Sequence, residues 1–169
     1  FAMGYLAIIG FPLTSGYFSK DHIIEAAFHE SALVGTLALL GAGVTAFYMT
    51  RLMLMTFGGG KRWADGVHPH ESPATMTVPL IVLAALSLVA GAAMNGWIQD
   101  WLEPAAGNHP HEVELLPTPI GWLTMLVVAA GVLVGWLVFG RKQIPAVAPQ
   151  GNPLAVAGRN DLFGDAIND

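Results

Sequence analysis

The 169 residues are 54% hydrophobic and only 11% charged, with a formal net charge of −5 and a mean hydropathy of +0.56. A soluble domain carries about 25% charged side chains, so this composition excludes one, and it equally excludes a collagen-like chain, an acidic disordered tail and a nucleic-acid binder. The lack of cysteine rules out a disulfide, a thiolate metal site and iron–sulfur ligation by this chain.

The charges are unevenly placed. Residues 1–19, 31–50, 72–99 and 115–140 contain no Asp, Glu, Lys or Arg. A hydrocarbon core of about 30 Å takes roughly 20 apolar residues of helix, so the predicted class is all-α, built from polytopic transmembrane helices. In chain order, a first apolar segment over about residues 1–28 is interrupted near Phe11-Pro12-Leu13-Thr14-Ser15-Gly16 and reads as a broken helix. Full spans follow over about 32–57, 77–98 and 119–139. Gly58-Gly59-Gly60, Ser72-Pro73, Pro117-Thr118-Pro119 and Gly140 mark the joints. The three full spans lack a polar stripe at helical spacing and are apolar all round, as membrane helices are. Residues 140–169 form a polar, amphipathic tail, so 1–139 is the expected membrane-embedded part. No basic segment precedes the first run, which therefore does not read as a signal peptide; the expectation is a chain that begins partway through a helix of a longer protein.

Basic residues set the orientation. Arg51, Lys61 and Arg62 lie at or after the end of the second segment, and Arg141, Lys142 and Arg159 follow the fourth. An alternating topology puts all six on one side. The other side, holding the 21–31 connection and the 99–118 loop, carries Glu25, Glu30, Asp100, Glu103, Glu112 and Glu114 but no Lys or Arg. The positive-inside rule makes loops 58–76 and 140–169 cytoplasmic. Trp97, Trp101 and Trp122 cluster at the opposite interface, where belt aromatics belong.

Lys20 breaks this pattern. It follows the interruption and stands about eight residues, or roughly 12 Å, before the segment's outer end. A lysine at the bilayer centre costs about 2.5–3.5 kcal/mol on insertion scales, which makes it a functional candidate. The competing reading is a lysine that snorkels to the outer headgroups. Irregular backbone at membrane depth is tolerated only where it is buried in protein or lines a cavity, and interrupted helices recur at transporter ion sites. Both facts favour function.

Gly10-Phe11-Pro12-Leu13-Thr14-Ser15-Gly16-Tyr17-Phe18-Ser19-Lys20-Asp21 closely resembles the broken twelfth helix of the antiporter-like membrane subunits of respiratory complex I, best the distal, subunit L type of NADH-quinone oxidoreductase. Phe47-Tyr48-Met49-Thr50-Arg51 with Met55-Thr56-Phe57-Gly58-Gly59 resembles the family's next helix. His68-Pro69-His70-Glu71-Ser72-Pro73 leading into Val78-Pro79-Leu80-Ile81-Val82-Leu83 resembles the next loop and span. The resemblance covers most of 1–139 and is most specific in the first 60 residues; Asp161-Leu162-Phe163-Gly164-Asp165-Ala166-Ile167 more weakly resembles the segment that precedes the family's lateral helix.

The resemblance implies a proton-translocating module of an enzyme that passes electrons from NADH to a quinone. Lys20 matches the lysine of the half-channel leading out of the cytoplasmic compartment. The Glu and Lys of the other half-channel are missing from these residues, so the piece cannot pump alone. No redox centre or cofactor is expected in this chain; FMN and iron–sulfur clusters belong to other subunits. Implied partners are the other membrane-arm subunits, the lipid bilayer and protons, in a bacterial inner membrane. Relatives that share the broken helix, an Mrp-type cation/proton antiporter or the membrane arm of a hydrogenase, are the nearest alternatives. A structural scaffold in which Lys20 merely snorkels is the alternative of another class.

Lys20 is thus the expected proton-relay residue and Asp21 its electrostatic modulator. Burial disfavours the charged form of a lysine and a nearby carboxylate favours it, so a lysine held between the two exchanges its proton as neighbouring charges change. Adjacent helical residues point about 100° apart, so Asp21 is expected to act through its field or on another helix rather than by a local bridge. Gly16, Tyr17, Ile23 and Ile24 share the face of Lys20; Tyr17 or Ser19 could hydrogen-bond water there. Arg51 reads as a structural pair or a member of the path. His68-Pro-His70-Glu71 and His109-Pro-His111-Glu112 each supply two metal ligands at most, short of the four a zinc site takes, and read as solvated loops. Gly131 and Gly135 form a GxxxG pattern, which permits close helix packing but is frequent in membrane helices.

Overall fold

A computed structural model describes residues 1–58, 66–68, 70–106, 118–141, 151 and 156–157. Lys61, Arg62, His109, His111, Glu112, Glu114, Lys142, Arg159 and the 161–167 segment lie outside the described residues. Among the described residues the fold has five helices: α1 (Ala2–Ile9), α2 (Ser15–Glu30), α3 (Ala32–Phe57), α4 (Ala74–Ala106) and α5 (Pro119–Phe139). Among the described residues there is no strand. Three helices, α3, residues 74–94 of α4, and α5, are long and apolar enough to cross a membrane.

α1 and α2 are the two arms of the broken helix. Gly10 ends α1 in the left-handed conformation, φ 77°, a region that glycine enters without steric penalty. Its N–H donates to the Ala7 carbonyl and that of Phe11 to Leu6, the double closure of a Schellman motif. Phe11-Pro12-Leu13-Thr14 then forms a turn closed by the Thr14 N–H on the Phe11 carbonyl at 3.1 Å. Pro12 stands where proline pre-sets φ, and Leu13 adopts φ 70° at the position where a type II turn demands a positive value. Thr14 is almost fully buried and its hydroxyl donates to the same Phe11 carbonyl at 2.6 Å.

The helix after the break runs to Glu30, so most of the expected 21–31 connection is helical. Ser31 alone, with φ −161° and ψ 132°, links α2 to α3. Nothing in Asp21–Glu30 breaks a helix; the polar residues there mark a change in solvation, not in backbone. The same reason extends α4 to Ala106, beyond the expected end near 98. Gln99, Asp100 and Glu103 end the apolar run without ending the helix, which continues through Pro104. Trp97 and Trp101, on either side of residue 98, are exposed.

Cross-helix contacts fix the directions. Phe1 packs on Phe57 with ring centroids 5.1 Å apart, Tyr5 bonds Thr50, and Phe28 lies against Gly35. The pair α1–α2 therefore runs antiparallel to α3 along its whole length, as one interrupted span. α5 runs parallel to α3: Phe47 meets Phe139 at 5.9 Å, and the Arg51 guanidinium lies 5.4 Å from the centre of the Phe139 ring. Arg141, stacked on Trp136 at 5.0 Å, stands at the same end as Arg51.

The α3–α5 seam is made of small residues. Gly131 lies against Gly43 and Ala46, and Gly135 against Thr50 and Phe47, while Gly121, Thr124 and Val128 of α5 and Ala46 and Thr50 of α3 are buried. Thr50 joins three helices. Its hydroxyl donates to the Ala46 carbonyl at 2.7 Å, so the 2.9 Å bond to Tyr5 has the phenol as donor. Replacing Thr50 by Val keeps the shape and leaves that phenol without its acceptor. Interhelical bonds in membranes average about 0.6 kcal/mol, so Thr50→Val is expected to lower the melting temperature of the parent subunit slightly without preventing its accumulation, as a thermal-shift series in detergent will read.

Candidate functional site at the helix break

The break brings the end of one helix against a charged side chain of the next. The Schellman closure uses the carbonyls of Leu6 and Ala7 and leaves that of Ile8 free of backbone partners. Lys20 takes it: Nζ donates to the Ile8 oxygen at 2.6 Å. The ammonium thus sits at the negative end of the α1 dipole, a placement worth up to about 2 kcal/mol in a partly buried setting. Asp21 is not its partner, as the angular separation of neighbouring residues predicts.

This geometry sets the depth and direction of the side chain. Lys20 stands about ten residues, roughly 15 Å, from the end of α2 at Glu30, which is half a hydrocarbon core. The facing positions Ala42 and Thr45 lie at the middle of α3. The ammonium turns back toward α1, away from Glu30, so it does not snorkel to the outer end.

Gly16 makes the approach possible. A β-carbon there would stand 1.8 Å from the Ala7 carbonyl oxygen and 2.8 Å from its carbon, so the first turn of α2 lies directly against the last turn of α1. Gly10 lies 3.4 Å, measured from the β-carbon position it lacks, from the Lys20 Cδ. Lys20 itself is half-buried. It lines an open cavity of about 400 Å³ with Ala7, Ile8, Gly16, Ser19, Ile23 and Ile24, closed on the far side by Ala38, Ala42 and Thr45 of α3. The walls are apolar apart from Lys20 and the Ser19 and Thr45 hydroxyls.

The expected site residues are only partly brought together. Gly16, Ile23 and Ile24 share the cavity with Lys20, and Ser19 joins them. Tyr17 does not; its ring packs edge-on against Phe18 at 5.3 Å, because the lysine turns toward α1 rather than along its own helix. Asp21 lies on α2 outside this cavity. Arg51 is further off, exposed at the end of α3 and engaged with Phe139. The Ile8 carbonyl and Thr45 were not anticipated. A backbone carbonyl leaves no mark in sequence, although Gly10 followed by Pro12 does signal a helix end with free carbonyls. His68 and His70 are exposed, and among the described residues no group of three or more His, Asp or Glu side chains converges to hold a metal ion.

Comparison with known proteins decides the family. The whole chain is 50% identical to NADH-quinone oxidoreductase subunit L of Mycobacterium tuberculosis, in strain H37Rv and in strain CDC 1551 alike. The chain belongs to the subunit L and chain 5 family of complex I. NADH-ubiquinone oxidoreductase chain 5 of Lumbricus terrestris is 32% identical over 79% of the chain, and F(420)H(2) dehydrogenase subunit L of Methanosarcina mazei is 40% identical over 61%. The chain spans 28% of the length of the mycobacterial relatives and 22% of the earthworm one. No model of a known protein family matches it.

Proposed function

We propose that this chain forms part of a proton-translocating, antiporter-like membrane subunit of an NADH-quinone oxidoreductase, and that Lys20 is the proton-relay residue it contributes. The observation that carries the proposal is the Lys20 ammonium held at mid-span on the free Ile8 carbonyl, inside a helix break and beside a cavity. An ammonium in such surroundings depends on the α1 dipole and on nearby charges for its stability. A charge arriving from a neighbouring module alters that balance and with it the proton occupancy of Nζ. Asp21, next in the chain, acts as modulator through its field. Ser19 offers a hydroxyl at the cavity wall, and Tyr17 and Arg51 serve the path from outside the cavity.

The chain lies in a bacterial inner membrane with residues 1–139 embedded, the 58–76 and 140–169 segments cytoplasmic, and other membrane-arm subunits as partners. The parallel run of α3 and α5, with Arg51 and Arg141 at one end, supports this orientation through the positive-inside rule. FMN and iron–sulfur clusters sit in other subunits. The Methanosarcina mazei relative supports a second reading, in which the same membrane module serves an F(420)H(2) dehydrogenase; the electron donor is then set by the rest of the complex.

The test is NADH-driven acidification of inverted membrane vesicles carrying Lys20→Ala in the full-length subunit, with complex assembly and NADH–quinone activity assayed on the same preparation. Pumping is expected to fall at least two-fold in an assembled complex. Unchanged proton yield per electron in an intact complex rejects Lys20 as a relay and returns the chain to a scaffold role.

A further inference from the structure

A second open cavity, of about 590 Å³, lies on the other side of α2, between it and α4. It shares Ala7, Ile8, Gly16 and Ser19 with the Lys20 cavity, and His22 lines it in place of Lys20. The far wall is Ala90, Gly91, Met94 and Ile98 of α4. Gly91 lets α4 in close: a β-carbon there would stand 2.4 Å from the Ser15 Cα. We propose that His22 is the proton acceptor downstream of Lys20, and that Ser19 links the two cavities so that protons cross from the α3 side of α2 to its α4 side.

The helix itself places the three groups in order. Residues follow one another about 100° apart, so Ser19 stands about 100° from Lys20 in one direction and about 60° from His22 in the other. Ser19 is the polar side chain between them, and it belongs to both cavity walls. Its hydroxyl makes only long bonds, 3.4 and 3.5 Å, to the Ser15 and Gly16 carbonyls, so it is free to turn toward water in either cavity.

Of the residues lining the second cavity, His22 alone carries an ionisable side chain, and its ring nitrogens can accept and donate a proton. The lining positions of α1 and α4 carry no ionisable group, and neither does any residue of α5, which also packs on α2. Asp21 and Glu25 flank His22 on its own helix. In the step, the Lys20 ammonium gives one proton to cavity water. The Ser19 hydroxyl accepts a proton from that side and donates its own to water on the other, and neutral His22 takes it up as imidazolium before release. One positive charge moves across α2, and no other bond changes.

This inference rests on the Lys20 proposal, and the experiment separates the two. Full-length subunit variants His22→Gln and His22→Glu are placed beside Lys20→Ala in the assembled complex, and protons pumped per electron are measured in inverted vesicles. His22→Gln is expected to lower the yield at least two-fold, and His22→Glu, which keeps a titratable group, to restore most of it. Equal loss in both variants means a structural role and overturns the inference. An unchanged yield in His22→Gln with loss in Lys20→Ala overturns it while leaving Lys20 as the relay; no loss in either overturns both. Met94→Trp narrows the same cavity from α4 without touching α2 and serves where His22→Gln does not assemble. It is expected to reduce the yield likewise, and an unchanged yield there counts against the inference.

Discussion

Gly16→Ala, the addition of one methyl group, is expected to uncouple the parent complex or prevent its assembly. The new β-carbon would lie 1.8 Å from the Ala7 carbonyl oxygen and 2.8 Å from its carbon. Both are backbone atoms, so no rotamer change relieves the clash; α1 must move away from α2. Overpacking a well-packed site typically costs about 1–3 kcal/mol, and here the displacement is rigid and falls at the upper end or beyond. Separating the arms also lengthens the 2.6 Å bond from Lys20 to the Ile8 carbonyl and takes the ammonium off the α1 dipole. A fold defect and a functional defect are therefore expected together. Native gel electrophoresis gives the amount of complex, and vesicle acidification per electron gives the coupling of what remains. Normal assembly with normal coupling would show that α1 and α2 do not approach as closely as described.

Gly131→Leu is expected to separate α3 from α5 and to leave the Lys20 cavity largely in place. A β-carbon at 131 would stand 2.4 Å from the Gly43 carbonyl oxygen and 3.1 Å from the Ala46 β-carbon, so a leucine cannot enter the seam. In a membrane, the water-driven force between helices is absent and association rests on packing of this kind. The expected loss is several kcal/mol of α3–α5 association, seen as low steady-state subunit level and increased proteolysis. Leu133, which is 55% exposed on the same helix, provides the control: Leu133→Ala is expected to change neither. Coupling per assembled complex should stay closer to normal in Gly131→Leu than in Gly16→Ala, because α5 supplies no wall of the cavity that Lys20 lines.

The contrast between these glycines shows what a pattern can and cannot say. Gly131 and Gly135 form a GxxxG that is common enough in membrane helices to mean little by itself. It becomes an interface only because α3 presents Gly43 and Thr50 opposite it. Gly16 forms no motif with a neighbour, yet it makes the tighter contact. His22 likewise reads as one more polar residue on a helix, and gains a role only from the cavity that α4 completes.

Composition and charge spacing by themselves determined the helical class, the broken first span, the limits of the α3 and α5 spans and the candidate Lys20. Each of these depends on local properties, namely apolar run length, proline and glycine placement, and the isolation of one cation. Two element ends escaped the same reasoning. Loss of apolarity near Asp21 and Gln99 marks a change of solvent and does not by itself end a helix, since α2 runs on to Glu30 and α4 through Pro104 to Ala106. Tertiary structure alone decided where the Lys20 ammonium points, which carbonyl it takes, and that Tyr17 and Arg51 lie away from it. Those outcomes depend on how α1 and α2 pack across the break. The side chain follows the free carbonyl of a preceding helix, and a backbone oxygen has no letter in the sequence.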